Sequence, residues 1–225
     1  VPAYDAVLFD LDGTICRRNQ DTDAIYAAAF ERVGEEPFGE PASLWAELEG
    51  PPDHDDWIGY IGAGFARLAA QHDRSDVDPL ALAEALASLV DDSAVELLPG
   101  AAAAIDAAAV LGPVGIVTNG PRDGQQTKLD ALGLRESFDV LVYGAELPRK
   151  KPHALPFEQA LAALELPAER VLYVGNSLEY DVAGAQNAGM PVAWLREEER
   201  EPAPYNPEFV LDSLADLPST LTNAE

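Results

Sequence analysis

Cysteine is almost absent from this chain of 225 residues: Cys16 stands alone. No intrachain disulfide can form, which excludes the disulfide scaffolds of small secreted domains and makes a cytoplasmic setting the simple expectation. Lysine is nearly as scarce, with Lys128, Lys150 and Lys151 only. Fourteen Lys+Arg stand against 40 Asp+Glu, a formal net charge of -26. Such a surface repels phosphate backbones and anionic lipid heads, so neither nucleic acid nor membrane is an expected partner. No uninterrupted apolar run approaches the roughly 18 residues of a membrane span. Val1 to Asp12 runs straight into a strand pattern without a basic leader, unlike a signal peptide. The three histidines, His54, His72 and His153, show no metal-ligand spacing and read as surface or packing residues. There is no internal repeat and no heptad.

What is present is apolar residue in quantity: 48% of the chain, enough for a sizeable core. The length suits one large domain, or a core with a modest insertion. Abundant acid and alanine with little lysine resembles proteins of salt-loving cytoplasms. At about 1 M salt the Debye length falls to roughly 3 Å, and self-repulsion is screened.

Short β-rich runs alternate with helical patterns. Strands are predicted at Ala6–Phe9, Val114–Val117, Val140–Tyr143, Val171–Val174 and Pro191–Leu195, with a weaker one at Phe209–Leu211. Helices are predicted near 101–111, 122–132, 154–165 and 180–188. The alternation and the apolar strands argue for an α/β fold: a mostly parallel sheet covered by helices on both faces. From Arg17 to Leu97 no strand is expected. Helical segments near 22–33, 41–49, 54–73 and 79–91 fill that stretch, punctuated by prolines. The chain therefore divides into a three-layer core, a parallel sheet between helices, at 1–16 and 98–225 and a helical insertion at 17–97. An insertion after the first strand lies where open α/β sheets bind ligands, so a lid is its natural role. Trp45 and Trp57 are expected in its core.

Four short segments fall at or just beyond predicted strand ends: Asp10-Leu11-Asp12-Gly13-Thr14, Thr118-Asn119-Gly120, Lys150-Lys151-Pro152, and Gly175-Asn176-Ser177 with Asp181 beyond. Alone, each could be an ordinary loop; a parallel sheet brings all four to one edge. Asp10 and Asp12 together favour a cation, and an all-oxygen site with few protein ligands suits Mg²⁺. A carboxylate beside Mg²⁺ can attack phosphorus. A second can act as acid and then base. The Thr118 hydroxyl and Lys151 ammonium can stabilise the transferring phosphoryl oxygens. Gly13 frees the backbone for a sharp turn. Arg17 and Arg18, just past the first segment, suit either an anionic substrate or an exposed hinge. Arg122 reads as helix-surface charge, and Cys16 as a packed residue.

The order DxDGT, VTNG, KP, GNSxxxDxxGAxxAGM, spanning Val7 to Met190, resembles the four motifs of the haloacid dehalogenase-like superfamily. The resemblance implies a Rossmann-like core with a C1-type helical cap. It implies Asp10 as nucleophile and metal ligand, and Asp12 as general acid/base and metal ligand through its backbone carbonyl. It further implies Thr118 as phosphate-binding hydroxyl, Asn119 as substrate contact, Lys151 as the neutralising lysine and Asp181 as the distal acid near the metal. One position departs: Asn176 stands where the family usually has a metal-binding Asp, and its carbonyl oxygen can ligate Mg²⁺ without bringing charge. Dehalogenases of the superfamily need no metal and carry a non-acidic residue two positions after the nucleophile. Asp12 therefore favours phosphoryl chemistry. The expected activity is Mg²⁺-dependent hydrolysis of a small phosphorylated metabolite by a monomer or homodimer. The alternatives are a 2-haloacid dehalogenase, a phosphomutase and a catalytically dead binding homologue. A phosphoacceptor receiver domain is shorter and lacks a cap.

Overall fold

The computed structural model describes residues 4–48, 56–196 and 200–223; His54 lies outside them. In chain order the elements are β1 (Ala6–Phe9), β2 (Cys16–Arg18), α1 (Thr22–Val33), α2 (Pro41–Ala46), α3 (Trp57–Gln71), α4 (Pro79–Leu89) and β3 (Val95–Leu97). They continue with α5 (Ala101–Leu111), β4 (Val114–Thr118), α6 (Arg122–Ala131), β5 (Val140–Tyr143), α7 (Leu155–Leu164), β6 (Val171–Gly175), α8 (Ala183–Asn187), β7 (Val192–Leu195), β8 (Phe209–Leu211) and α9 (Leu217–Asn223). The chain divides into two compact units, Val1–Arg18 with Ser93–Glu225, and Asn19–Asp92.

The first unit is an α/β fold built on a six-stranded parallel sheet in the order β5-β4-β1-β6-β7-β8. Alternate residues of a strand face opposite sides, and β1 shows the consequence. Val7 and Phe9 join one core with Ala104 and Ile105 of α5 and Leu217 and Leu221 of α9. Ala6 and Leu8 join the other with Phe157 and Ala160 of α7 and Ala185 of α8. Burial on both faces explains why these strands read as unbroken apolar runs. From β1 the chain reaches β4 on one side and β6 on the other. The carboxyl end of β1 is therefore the switch point where such sheets open a crevice.

The second unit is helical. Tyr26, Phe30, Phe38, Leu44, Phe65, Leu68 and Leu82 form its core. The ring centroids of Tyr26 and Phe30, and of Phe30 and Phe38, lie 5.0 Å apart. Its helices start where the sequence supplies caps. Asp21 accepts from the Ala24 N–H at 3.0 Å and Asp78 from the Leu80 N–H at 2.9 Å, with Pro79 in the first turn of α4. Trp45 departs from expectation: it is 46% exposed, and with Trp57 it lines an apolar cavity beside Tyr26 and Leu44. A six-residue helix is too short to turn every large side chain inward.

The stretch expected to lack strands holds two. β2 and β3 pair antiparallel, Cys16 opposite Leu97 and Arg18 opposite Val95. Each is only three residues long, below the length at which alternation can be read in sequence. Their pairing carries the junctions between the units to Arg18 and Ser93, not Cys16 and Leu98.

Candidate active site

Asp10 follows β1 directly, and its N–H donates to the Val174 carbonyl of β6 at 2.9 Å. The chain then makes a tight turn. The N–H groups of Thr14, Ile15 and Cys16 converge on the Leu11 carbonyl at 3.3, 2.9 and 3.1 Å. Gly13 takes φ 79°, a left-handed conformation that disfavours a side chain. This turn places Asp12 beside the end of β4, next to Thr118.

Lys151 lies at the centre. It is 4% exposed. Its Nζ lies 2.7 Å from Asp10 Oδ1, 2.7 Å from Asp181 Oδ1, 2.9 Å from the Val117 carbonyl and 2.9 Å from the Tyr173 hydroxyl. Tyr173 in turn donates to Asp181 at 2.9 Å. Burial pushes the Asp10 carboxyl up; Lys151 opposes this, Asp181 reinforces it, and the result is about 7. Burial works against the Lys151 ammonium too, but the two carboxylates outweigh it and hold the lysine above its ordinary value. Burial, with the Asp181 charge, raises the Tyr173 phenol well above its usual range.

Asp12 belongs to a second cluster. Its side chain is 46% exposed, and both oxygens are gripped by Lys128 Nζ, at 2.7 and 2.9 Å. Gln125 Nε2 reaches Asp12 Oδ2 at 2.8 Å and Thr118 Oγ1 at 2.6 Å. Burial pulls the Asp12 carboxyl up, but the Lys128 charge and these hydrogen bonds win, holding it below the usual carboxylate range.

The four sequence segments thus meet at one edge of the sheet, but not every residue faces inward. Asn119 uses both ends of its amide on the Lys151 backbone, accepting from its N–H at 2.8 Å and donating to its carbonyl at 3.0 Å. It holds the lysine's loop. Asp181 is 1% exposed; besides Lys151 and Tyr173 it accepts from the Ser177 N–H at 2.9 Å. Its oxygens are engaged, which suits an anchor for Lys151 better than an open metal ligand. Asn176 accepts from the Thr14 hydroxyl at 3.3 Å through Oδ1. Arg17 points away from the carboxylates, paired with Glu96 of β3 at 2.7 Å. Arg18 is exposed on β2, and its charge helps lower Asp12. Arg122 bridges to Glu146 at 2.6 Å and lies over the Tyr143 ring. Cys16 is buried, its thiol pushed up to about 12 by burial and then by the Asp12 charge.

Sequence reasoning missed Gln125, Lys128 and Tyr173. Two signals pointed to the first pair: a lysine-poor chain places one of its three lysines on α6, and three-residue spacing puts Gln125 on the same helix face. Tyr173 sat inside an apolar strand pattern and gave none.

Among the described residues no three His, Cys, Asp or Glu side chains cluster as a metal site. A small hard cation nevertheless fits. Asp10 and Asp181 share a single buried lysine, which leaves one negative charge over when both are ionised. The donors that could hold it are oxygens: the Asp10 carboxylate, the Asp12 backbone carbonyl and the Asn176 amide, whose Oδ1 also accepts from Thr14. That is a Mg²⁺-type set with few protein ligands.

Residues 4–189 match the sequence profile of the haloacid dehalogenase-like hydrolases. The chain belongs to that family. A phosphoglycolate phosphatase of Cereibacter sphaeroides is 35% identical over 201 residues, covering 85% of this chain and 84% of the relative. The pyrimidine 5'-nucleotidase YjjG of Escherichia coli (strain K12) is 34% identical over 174 residues, 73% of this chain and 77% of the relative. In fold, the chain is similar to a predicted phosphoglycolate phosphatase from Haemophilus somnus 129PT. The TM-score is 0.76 at 22% identity, over 97% of this chain and 98% of that one. It is also similar to the putative hydrolase YfnB of Bacillus subtilis, crystallised with magnesium: TM-score 0.74, 24% identity, 97% and 99% covered. As a member of the family the protein is a hydrolase, of its phosphatase kind.

Proposed function

We propose that the protein hydrolyses a small phosphoric monoester, with Mg²⁺, through an aspartyl-phosphate on Asp10. The observation that carries this reading is the buried Asp10–Lys151–Asp181 cluster at the sheet's switch point, with Thr118 at the end of neighbouring β4 and Asp12 joined to it through Gln125. In the first step an Asp10 carboxylate oxygen attacks phosphorus and the ester P–O bond breaks. The departing alkoxide takes a proton from Asp12 in its acid form. Pairing with Lys128 favours the ionised form of Asp12, and the approach of a phosphate dianion pushes it back toward the acid. In the second step the Asp12 carboxylate takes a proton from water, which attacks phosphorus, releases phosphate and restores Asp10. Lys151 and Thr118 meet the charge on the phosphoryl oxygens, and their anchors Asp181, Tyr173 and Asn119 keep the lysine in place. Asp10, the Asp12 carbonyl and Asn176 would hold Mg²⁺, which would supply the positive charge that lets carboxylate and phosphate approach. The helical unit Asn19–Asp92 stands in the sequence position of the family's cap.

Relatives named for phosphoglycolate and for a pyrimidine 5'-nucleotide share a phosphate monoester on a small molecule, and that chemistry is the substrate class proposed. Asp10→Asn tests it. Turnover of 4-nitrophenyl phosphate with Mg²⁺ should vanish in a variant that still folds, because an amide cannot form the acyl-phosphate. Wild-type turnover in that variant would refute the mechanism.

A further inference from the structure

Two buried side chains on α6, Gln125 and Lys128, belong to no motif, yet they contact both groups that must act on the phosphoryl oxygens and the leaving group. Gln125 is 1% exposed and Lys128 5% exposed. Buried polar groups need partners, and these two take theirs from Asp12 and Thr118 alone among the described residues.

The Thr118 hydroxyl can accept two hydrogen bonds and donate one. Gln125 Nε2 donates to it at 2.6 Å and the Gly120 N–H at 3.2 Å. Both acceptor positions are thereby filled, and the remaining bond the hydroxyl can make is a donation. The same Gln125 nitrogen faces Asp12 Oδ2, so the amide must be turned nitrogen-first. Its other end, Oε1, is buried without a hydrogen-bond partner. A side chain present for stability would not leave its acceptor unsatisfied in the interior. Gly120 belongs to the same arrangement: a Cβ there would stand 2.2 Å from Gln125 Nε2. Lys128, one turn along the helix, holds both oxygens of an Asp12 side chain that is half open to solvent and also tied to Gln125.

We infer that Gln125 and Lys128 are positioning residues: Gln125 forces the Thr118 hydroxyl to present its proton to the phosphoryl oxygens, and Lys128 holds Asp12 in place for the leaving group. This inference rests on the proposed roles of Thr118 and Asp12. It separates the two residues by what their loss should do. Losing Lys128 harms only proton transfer, and an activated leaving group needs little of that. Losing Gln125 removes one of the contacts to Asp12 and, beyond that, harms phosphoryl stabilisation, which every substrate needs.

The test compares kcat/KM, which reports the step that expels the alcohol, for an alkyl phosphate and for 4-nitrophenyl phosphate, with melting temperatures alongside. Asp12→Asn serves as the control. Lys128→Met should lower kcat/KM by roughly tenfold or more on the alkyl phosphate, a fraction of what acid/base help contributes. On 4-nitrophenyl phosphate it should change by less than about threefold. Lys128→Arg should recover part of the loss. Gln125→Met should lower kcat/KM on both substrates, 4-nitrophenyl phosphate included, without lowering the melting temperature, because the unsatisfied Oε1 disappears with the amide. The Lys128 assignment fails if Lys128→Met leaves the ratio between substrates unchanged while Asp12→Asn shifts it. If Asp12→Asn leaves that ratio unchanged as well, the acid/base reading itself fails, and the clamp with it. A Gln125→Met variant that loses stability and keeps activity would make Gln125 a structural residue. Should Lys128→Met fail to fold, Lys128→Arg and Gln125→Met decide by the same measurements.

Discussion

Replacing Asp181 by Asn removes one charge and almost no volume, and the consequence can be worked out from its three partners. Oδ1 accepts from Lys151 and Tyr173, and Oδ2 accepts from the Ser177 N–H. All three are donors. An amide has only one oxygen, so its NH₂ must face either Ser177 or the Lys151 side. One buried donor is then left unpaired, at about 1–3 kcal/mol. Lys151 also loses one of its two carboxylates. Removing a partner from a buried pair costs about 3–5 kcal/mol, but Asp10 remains and its own repulsion from Asp181 is relieved, so only part of that applies. A net loss of about 3 kcal/mol follows. For a chain of this size each kcal/mol moves the melting temperature by roughly 2–4 °C, so a fall of about 6–12 °C is expected. The assay is thermal denaturation in molar KCl with chelator, so that no metal contributes. A fall under about 2 °C would refute the anchoring argument. If the variant instead kept its metal-free stability and needed more Mg²⁺ for activity, Asp181 would be a metal ligand after all.

Three further outcomes are expected. Asn176→Asp should lower the Mg²⁺ concentration for half-maximal turnover, since it adds a charge to the oxygen set; an unchanged or higher requirement would remove Asn176 from the metal's neighbourhood. In chelator, the raised Asp10 carboxyl contributes stability that is fully present below its ordinary value of 3.8 and lost as pH rises through about 7. The melting temperature of wild type relative to Asp10→Asn should therefore shrink across that window, and a constant difference would contradict the burial of a shared charge. The net charge of -26 should make the melting temperature rise from dilute buffer to molar KCl, and a flat series would remove the salt-loving reading.

The sequence by itself determined the layered core and the positions of its chemistry. Parallel strands buried on both faces must be apolar throughout, so Ala6–Phe9 and Val171–Gly175 announced themselves, and motif residues just past such strands can only collect at one edge. Helix starts near residues 22 and 79 were legible because the breakers and turn residues that begin a helix act locally, Pro79 among them. Tertiary structure alone decided the direction in which each side chain works. Asn119, Asp181 and Arg17 sit where the motifs put them, yet Asn119 holds the Lys151 backbone, Asp181 holds its ammonium, and Arg17 turns to Glu96. The β2–β3 ladder was invisible because each strand is three residues long and its partner lies far along the chain. The partners of Gln125 and Lys128 were hidden for the same physical reason. Both residues are separated from Asp12 by more than a hundred residues, and a hydrogen bond formed by folding leaves no periodicity in the sequence.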